Sequence, residues 1–222
     1  MPPLRPALRL RLRPAPPLAP RPPGCPLLRL NLPKRPHRQV RLPPMTEPAP
    51  PEPLLTEPEI AAAVRDLAAR LAPRVAPDAI AVCLLTGGIW FASDLTRALA
   101  NLGRPLSFDA IWMSSYGDGT QSSGAGAVVA GLQRPLAGRQ VLILDDVLET
   151  GTSLEAARAL VLKAGASEVL TVVFALKPSV QPGRRPPDAF AWEAPDRFLV
   201  GYGMDAAGAY RTLPWIGALP EA

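Results

Sequence analysis

Cysteine is scarce in this chain: Cys25 and Cys83 are the only two in 222 residues. Two thiols cannot staple a chain of this length, which excludes a disulfide scaffold. No stretch of about 18 apolar residues runs free of charge and proline, so no membrane-spanning helix is readable. Residues 1–44 contain no Asp or Glu at all, yet they hold ten basic residues and 14 of the 30 prolines. Lysine is almost absent from the remainder, where only Lys163 and Lys177 occur. The length admits one substantial core with a small appended element and excludes a multidomain machine. An apolar content of 48% excludes wholesale disorder.

The formal charge of +5 hides two opposite pieces. Residues 1–44 carry +10, whereas residues 45–222 hold 14 basic against 19 acidic residues, a net −5. With a proline at about every third position, the first piece cannot sustain a helix or a central strand. It is expected to be a disordered Pro/Arg-rich extension preceding a domain over 45–222. A basic arm for nucleic acid, an Arg-rich transit peptide, and sequence lying ahead of a true start at Met45 are the competing readings. The prolines and the lack of serine weaken the transit reading. Met45 precedes an acidic, proline-containing lead and then the first clean helix, which favours a start there or an inert tail. The basic character then says nothing about partners, and no nucleic-acid partner is expected. Cys83 falls in an apolar run, where a buried thiol fits a reducing compartment.

The domain alternates between helical and strand patterns. Ile60, Val64, Leu67 and Leu71 recur at helical spacing from Glu57 to Leu71, with Pro73 as the stop. Apolar runs of strand length occur at Ile80–Leu85, Leu106–Met113, Val141–Leu144 and Val169–Leu176, and helical stretches at about Phe91–Leu102 and Leu154–Lys163 separate them. Continuous apolar strands alternating with helices predict an α/β fold with a mostly parallel central sheet covered on both faces. Ligands of such sheets sit beyond the carboxyl ends of the strands, so the informative residues should lie where strands stop.

One strand end stands out. Val141 to Leu144 runs into Asp145 and Asp146, and after Val147 and Leu148 comes Glu149-Thr150-Gly151-Thr152-Ser153, opening a helix. Backbone amides at a helix N-terminus together with three hydroxyls suit a phosphate monoester. Adjacent carboxylates suit vicinal sugar hydroxyls, each of which donates to an acceptor oxygen. A phosphorylated sugar satisfies both halves. An N-capped helix after a strand is common, but a buried strand ending in two carboxylates is less so, because each charge needs a partner.

This loop resembles the phosphoribosyl-pyrophosphate signature of the type I phosphoribosyltransferases, and the chain from about Glu57 to Leu219 is similar to their hypoxanthine-guanine branch. Four further motifs carry the resemblance: Leu84-Leu85-Thr86-Gly87-Gly88, the stretch Ser114 to Gly124, Lys177 after a strand, and Pro195 through Asp205 continuing to Arg211-Thr212-Leu213-Pro214. The resemblance implies the type I phosphoribosyltransferase fold with a flexible lid loop at Ser114 to Gly124 and a small hood at about 178–222. It implies a purine salvage transferase moving 5-phosphoribosyl from phosphoribosyl pyrophosphate to N9 of hypoxanthine or guanine, with Mg2+, in the cytoplasm, as a homodimer or homotetramer.

By the same resemblance Asp145 and Asp146 face the ribose hydroxyls and the metal shell, and Thr150, Gly151, Thr152 and Ser153 cradle the 5-phosphate. Glu149 takes the place of the general base for the purine N7 proton. The usual residue there is Asp, and Glu reaches one methylene further. Lys177 donates to the 6-oxo group, which adenine lacks. Phe198 stacks on the purine, and Leu199 offers backbone groups to its edge. Asp205 matches a metal-binding acid and Arg211 a cation for pyrophosphate. Thr86 and Gly87 match the pyrophosphate loop, with Thr86 where a basic residue is usual and a non-proline cis bond at Leu85-Thr86 in relatives. Ser115 and Tyr116 match residues that close over pyrophosphate and exclude water. Two alternatives stay open: transfer to xanthine or another acceptor, and a nucleotide-sensing, RNA-binding regulator built on the same fold. The second needs a basic face, and the acidic domain offers little of one.

Overall fold

The computed structural model describes residues 50–113, 128–178 and 185–220. The chain runs β1 (Glu52–Leu55), α1 (Glu57–Leu71), a 3-10 turn (Ala72–Arg74), β2 (Ile80–Leu85), α2 (Ile89–Asn101), β3 (Ser107–Met113) and β4 (Val128–Ala130). It continues through β5 (Gln140–Leu148), α3 (Thr152–Lys163), β6 (Glu168–Leu176), β7 (Ala189–Glu193), β8 (Leu199–Val200) and β9 (Ile216–Ala218).

Helix α1 has the bounds its periodicity predicts. At its start the Thr56 amide and hydroxyl both donate to Glu59, at 2.8 and 2.6 Å, and Pro58 occupies the first turn, where a missing N–H costs nothing. Its apolar stripe of Ile60, Val64, Leu67 and Leu71 is buried. Pro73 falls in the 3-10 turn that replaces the helix.

Six strands form the main sheet in the order β4-β3-β2-β5-β6-β7. Strands β3, β2, β5, β6 and β7 are mutually parallel, and β4 closes one edge antiparallel to β3. The continuous apolar runs follow from burial on both faces. Along β5, Leu142 and Leu144 join Leu67, Leu95, Phe91 and Phe174 on the face covered by α1 and α2. Val141 and Ile143 point the other way, packing with Leu154, Ala157 and Val161 of α3. Alternation of side chains across the pleat places successive residues of one run in two different cores.

Three features differ from the sequence expectation. Strand β5 does not stop at Leu144 but runs through the two acids to Leu148, because β6 continues beside it in register as far as Leu148 opposite Leu176. The hood is a three-stranded sheet, β1-β9-β8, and one of its strands comes from residues 52–55, ahead of α1. Within 178–222, Ala189–Glu193 does not belong to the hood: β7 extends the main sheet, with Val173 opposite Phe190. Strands β3 and β4 are the antiparallel ends of the connection that contains Ser115 and Tyr116, and those two residues lie outside the described ones.

Candidate active site

The carboxyl ends of β2 and β5 meet the start of α3 and a loop of the C-terminal segment around a cavity of about 490 Å³. Thr86 and Gly87 form one wall, Asp145 and Asp146 the floor, and the residues from Glu149 to Ser153 the far side. Asp205 and Arg211 approach from the C-terminal segment. A smaller cavity of about 170 Å³ adjoins it through Asp146, Glu149 and Asp205, and its remaining wall includes Lys177, Phe198 and Leu199. Every site residue expected from the sequence lies on one of these two cavities, apart from Ser115 and Tyr116.

The far side of the larger cavity is built by helix geometry. Gly151 caps α3 with φ 73°, a left-handed conformation that strains any residue bearing a Cβ, and Thr152 and Ser153 are the first helical residues. The amides of a first turn have no intrahelical acceptor, and α3 therefore presents donors and the positive end of its dipole to the cavity.

The acids are held by their own backbone. The Asp146 amide donates to Asp145 at 3.0 Å, and the Val147 amide donates to Asp146 at 2.9 Å. Burial, reinforced by the Asp146 charge beside it, lifts the Asp145 carboxyl well above the usual carboxylate range. Burial also lifts Asp146, against the opposing pull of its hydrogen bonds with Asp145 and Val147 and of the Arg211 guanidinium. The same burial, with the two acids nearby, pushes the Cys83 thiol up to about 12 and keeps it neutral. Two carboxyl groups short of donors at the floor of a cavity fit a ligand that brings hydroxyl protons or a cation.

Backbone spacing around Asp146 depends on glycine. A Cβ on Gly87 would lie 2.0 Å from an Asp146 carboxylate oxygen, and one on Gly88 would meet the carbonyl oxygens of Leu84 and Leu144 at 2.8 and 2.9 Å. The Leu85-Thr86 peptide is cis, as the motif's resemblance implies.

At the smaller cavity, Leu148 and Leu176 are opposite in register, which brings the next residues, Glu149 and Lys177, side by side. The Lys177 ammonium donates to Glu149 at 2.9 Å, and the Lys177 amide donates to the Leu148 carbonyl at 3.1 Å. Phe198 is 55% exposed at the opening, whereas Leu199 is buried in β8. Asp205 accepts from the Gly208 amide at 2.7 Å and is paired with Arg211.

Sequence reasoning missed Trp112 and Met113, which line the larger cavity from the end of β3, and Met204 and Val147 on the smaller one. The rule that ligands gather at strand ends points to the first pair; no sequence signal marks Met204. Among the described residues no cluster of three metal-ligating side chains stands preformed. Mg2+ takes hard oxygen donors and completes its shell with substrate oxygens and water, and the carboxyl oxygens of Asp205, Asp145 and Asp146 fit that donor chemistry.

A mostly parallel sheet whose central strand carries paired acids near its carboxyl end, ahead of a glycine-capped helix start, defines an α/β protein of the phosphoribosyl-binding class, and residues 52–207 match the phosphoribosyl transferase domain family. The chain is 34% identical over 170 residues to the hypoxanthine-guanine phosphoribosyltransferase of Bacillus subtilis, covering 76% of this chain and 93% of that protein. It is 35% identical over 178 residues to the enzyme of the same name from Staphylococcus aureus, covering 77% and 94%. A crystal structure of a Staphylococcus aureus hypoxanthine phosphoribosyltransferase superposes with a TM-score of 0.69 at 33% identity, covering 76% of this chain and 91% of the other. The chain belongs to the phosphoribosyltransferase family, in its hypoxanthine-guanine branch.

Proposed function

We propose that the protein transfers 5-phosphoribosyl from phosphoribosyl pyrophosphate to N9 of hypoxanthine or guanine, giving IMP or GMP and pyrophosphate. The observation that carries this reading is the adjacency of the two cavities across Asp146: one has anion and hydroxyl partners, the other a buried cation, a carboxylate and an open aromatic ring. In the reaction the C1–O bond to pyrophosphate breaks with its electron pair leaving on oxygen, and the N9 lone pair forms the new bond to C1. Glu149 accepts the N7 proton that the base sheds as this bond forms. Asp145 and Asp146 accept from the ribose hydroxyls, and the α3 N-terminus with Thr150, Thr152 and Ser153 holds the 5-phosphate, fixing C1 opposite the base.

Lys177 donates to the 6-oxo oxygen. Phe198 covers one face of the ring, with the Leu199 backbone at its edge. Thr86, Gly87 and Arg211 face the departing pyrophosphate, and Arg211 supplies its charge. Asp205, Asp145 and Asp146 would hold a Mg2+ ion, and that ion would supply charge neutralisation for the departing diphosphate. The proposal includes a cytoplasmic setting, homodimeric or homotetrameric assembly, and a catalytic domain over 45–222 that works without residues 1–44.

The test is pyrophosphate release with adenine, hypoxanthine, guanine and xanthine in the presence of Mg2+. Hypoxanthine and guanine should turn over, and adenine should not. Lys177→Ala should lower kcat/KM for hypoxanthine at least about 100-fold, as expected when a buried hydrogen-bonding cation is removed from a substrate oxygen. Turnover of adenine at the same rate would refute the assignment. A chain beginning at Met45 should match the full chain in rate.

A further inference from the structure

We propose that Glu149 and Lys177 form a clasp that closes the base subsite when no base is present, so that affinity for the base is set by the cost of opening it. This inference rests on the phosphoribosyl-transfer reading of the site. Lys177 has a side chain only 6% exposed, and the Glu149 carboxylate at 2.9 Å is the one hydrogen-bond partner its ammonium has among the described residues. Glu149 itself is 56% exposed, so an accessible carboxylate reaches a lysine that is almost wholly buried.

The reach is a property of this residue type. Register fixes the two backbones side by side, with Leu148 opposite Leu176 and the Lys177 amide bonded to the Leu148 carbonyl. An aspartate at 149 would end about 1.5 Å nearer its own Cα, one carbon–carbon bond short, and along the same path would not touch the ammonium.

The edge of a 6-oxopurine is complementary to the opened clasp. Its N7–H donates where Glu149 has lost a donor, and its O6 accepts where Lys177 has lost an acceptor. One ion pair is thus exchanged for two charge-assisted hydrogen bonds. Adenine presents a 6-amino donor to the lysine and cannot repay the opening. A lysine already paired gains less from O6 than a lysine whose only partner is O6, because part of the new bond replaces an old one.

The test is calorimetric binding of hypoxanthine, whose N7 carries the proton that the nucleotide product lacks, and of ribose 5-phosphate to the full chain and to its Glu149→Asp variant, a readout independent of turnover. Hypoxanthine fills the base subsite, and ribose 5-phosphate fills only the sugar-phosphate one. The clasp predicts that Glu149→Asp binds hypoxanthine about 3- to 10-fold more tightly and ribose 5-phosphate unchanged. It also predicts that in a Lys177→Ala background the Glu149→Asp substitution no longer tightens hypoxanthine, since the partner it released is gone. Equal or weaker hypoxanthine binding in Glu149→Asp, with ribose 5-phosphate binding retained, overturns the clasp alone. Absence of binding of either ligand to the unaltered chain overturns the clasp together with the phosphoribosyl reading. A gain for hypoxanthine that persists in the Lys177→Ala background also overturns it, because the gain then does not run through the lysine.

Discussion

Single residues in this site are constrained by what a few ångströms permit. Gly87 and Gly88 are neighbours in one loop, but a methyl group at each meets a different obstacle. At Gly87 it meets the end of the Asp146 side chain, which can turn away; at Gly88 it meets two backbone carbonyls, which cannot. Gly87→Ala should therefore fold and lose activity, at least about 100-fold in kcat/KM, through a displaced Asp146. Gly88→Ala should lose stability as well, by about 1–3 kcal/mol in thermal or urea unfolding, through overpacking against β2 and β5.

Asp145 shows the opposite balance between fold and function. Its carboxyl is raised by burial and by the neighbouring charge, so its pKa in the folded protein exceeds the unfolded value. A carboxyl shifted in that direction costs stability at pH values above its folded pKa, and the cost is relieved as pH falls through it. Asp145→Asn should accordingly stabilise the unliganded protein at pH 7, on the order of 1 kcal/mol, while weakening phosphoribosyl pyrophosphate binding. Chemical denaturation at pH 7 measures the first effect and titration the second.

Secondary-structure elements are tied by polar contacts that sequence patterns do not display. Asp188, with a side chain 16% exposed, accepts from the Thr171 amide and hydroxyl at 2.8 and 2.9 Å, anchoring the approach to β7 against β6. Burial alone would raise this carboxyl, but the two Thr171 bonds and the Arg185 guanidinium outweigh it and hold it below the usual carboxylate range. With the folded pKa depressed, the contribution is present above the unfolded value near pH 4 and is lost as pH falls through the folded value. Asp188→Asn should destabilise by about 1–3 kcal/mol at pH 7, and the gap between variant and parent should shrink as unfolding is followed towards pH 3. A gap independent of pH would show that the contact acts by shape and not by charge.

Legibility at this scale followed locality. The bounds of α1 and β2 agree with their patterns because Ile60 to Leu71 bury one regular helical face and Ile80 to Leu85 are a continuous apolar run buried on both faces of the sheet. Strand β1 was not legible: it is four residues long, contains Pro53, and exists because it pairs with β9, whose residues lie far along the chain. Strand β8 has two residues, too few for any periodicity. The extension of β5 past Leu144 was hidden because acids seldom continue a buried strand, and only β6 alongside keeps it paired.

At the scale of the molecule, the fold converts sequence-distant motifs into one chemical surface. Parallel strands bring Thr86, Asp145 and Lys177 to the same end of the sheet, and the C-terminal segment carries Phe198, Asp205 and Arg211 over to meet them. The identity of these residues was readable from the order of the motifs. Their pairings, Glu149 with Lys177 and Asp205 with Arg211, were not, because they depend on register and on loop paths that only the folded chain specifies. Phe174 joins the two layers: its ring packs against Phe91 of α2 and Tyr202 of the C-terminal segment, with centroids 5.8 and 5.1 Å away.

Calorimetric titration of the unaltered chain with phosphoribosyl pyrophosphate and Mg2+ tests the central claim most directly. Saturable binding that disappears in Asp146→Asn, with the variant still folded by circular dichroism, is the predicted result. No binding heat in the unaltered chain, or undiminished binding in Asp146→Asn, would contradict the assignment of the β5 acids to the sugar.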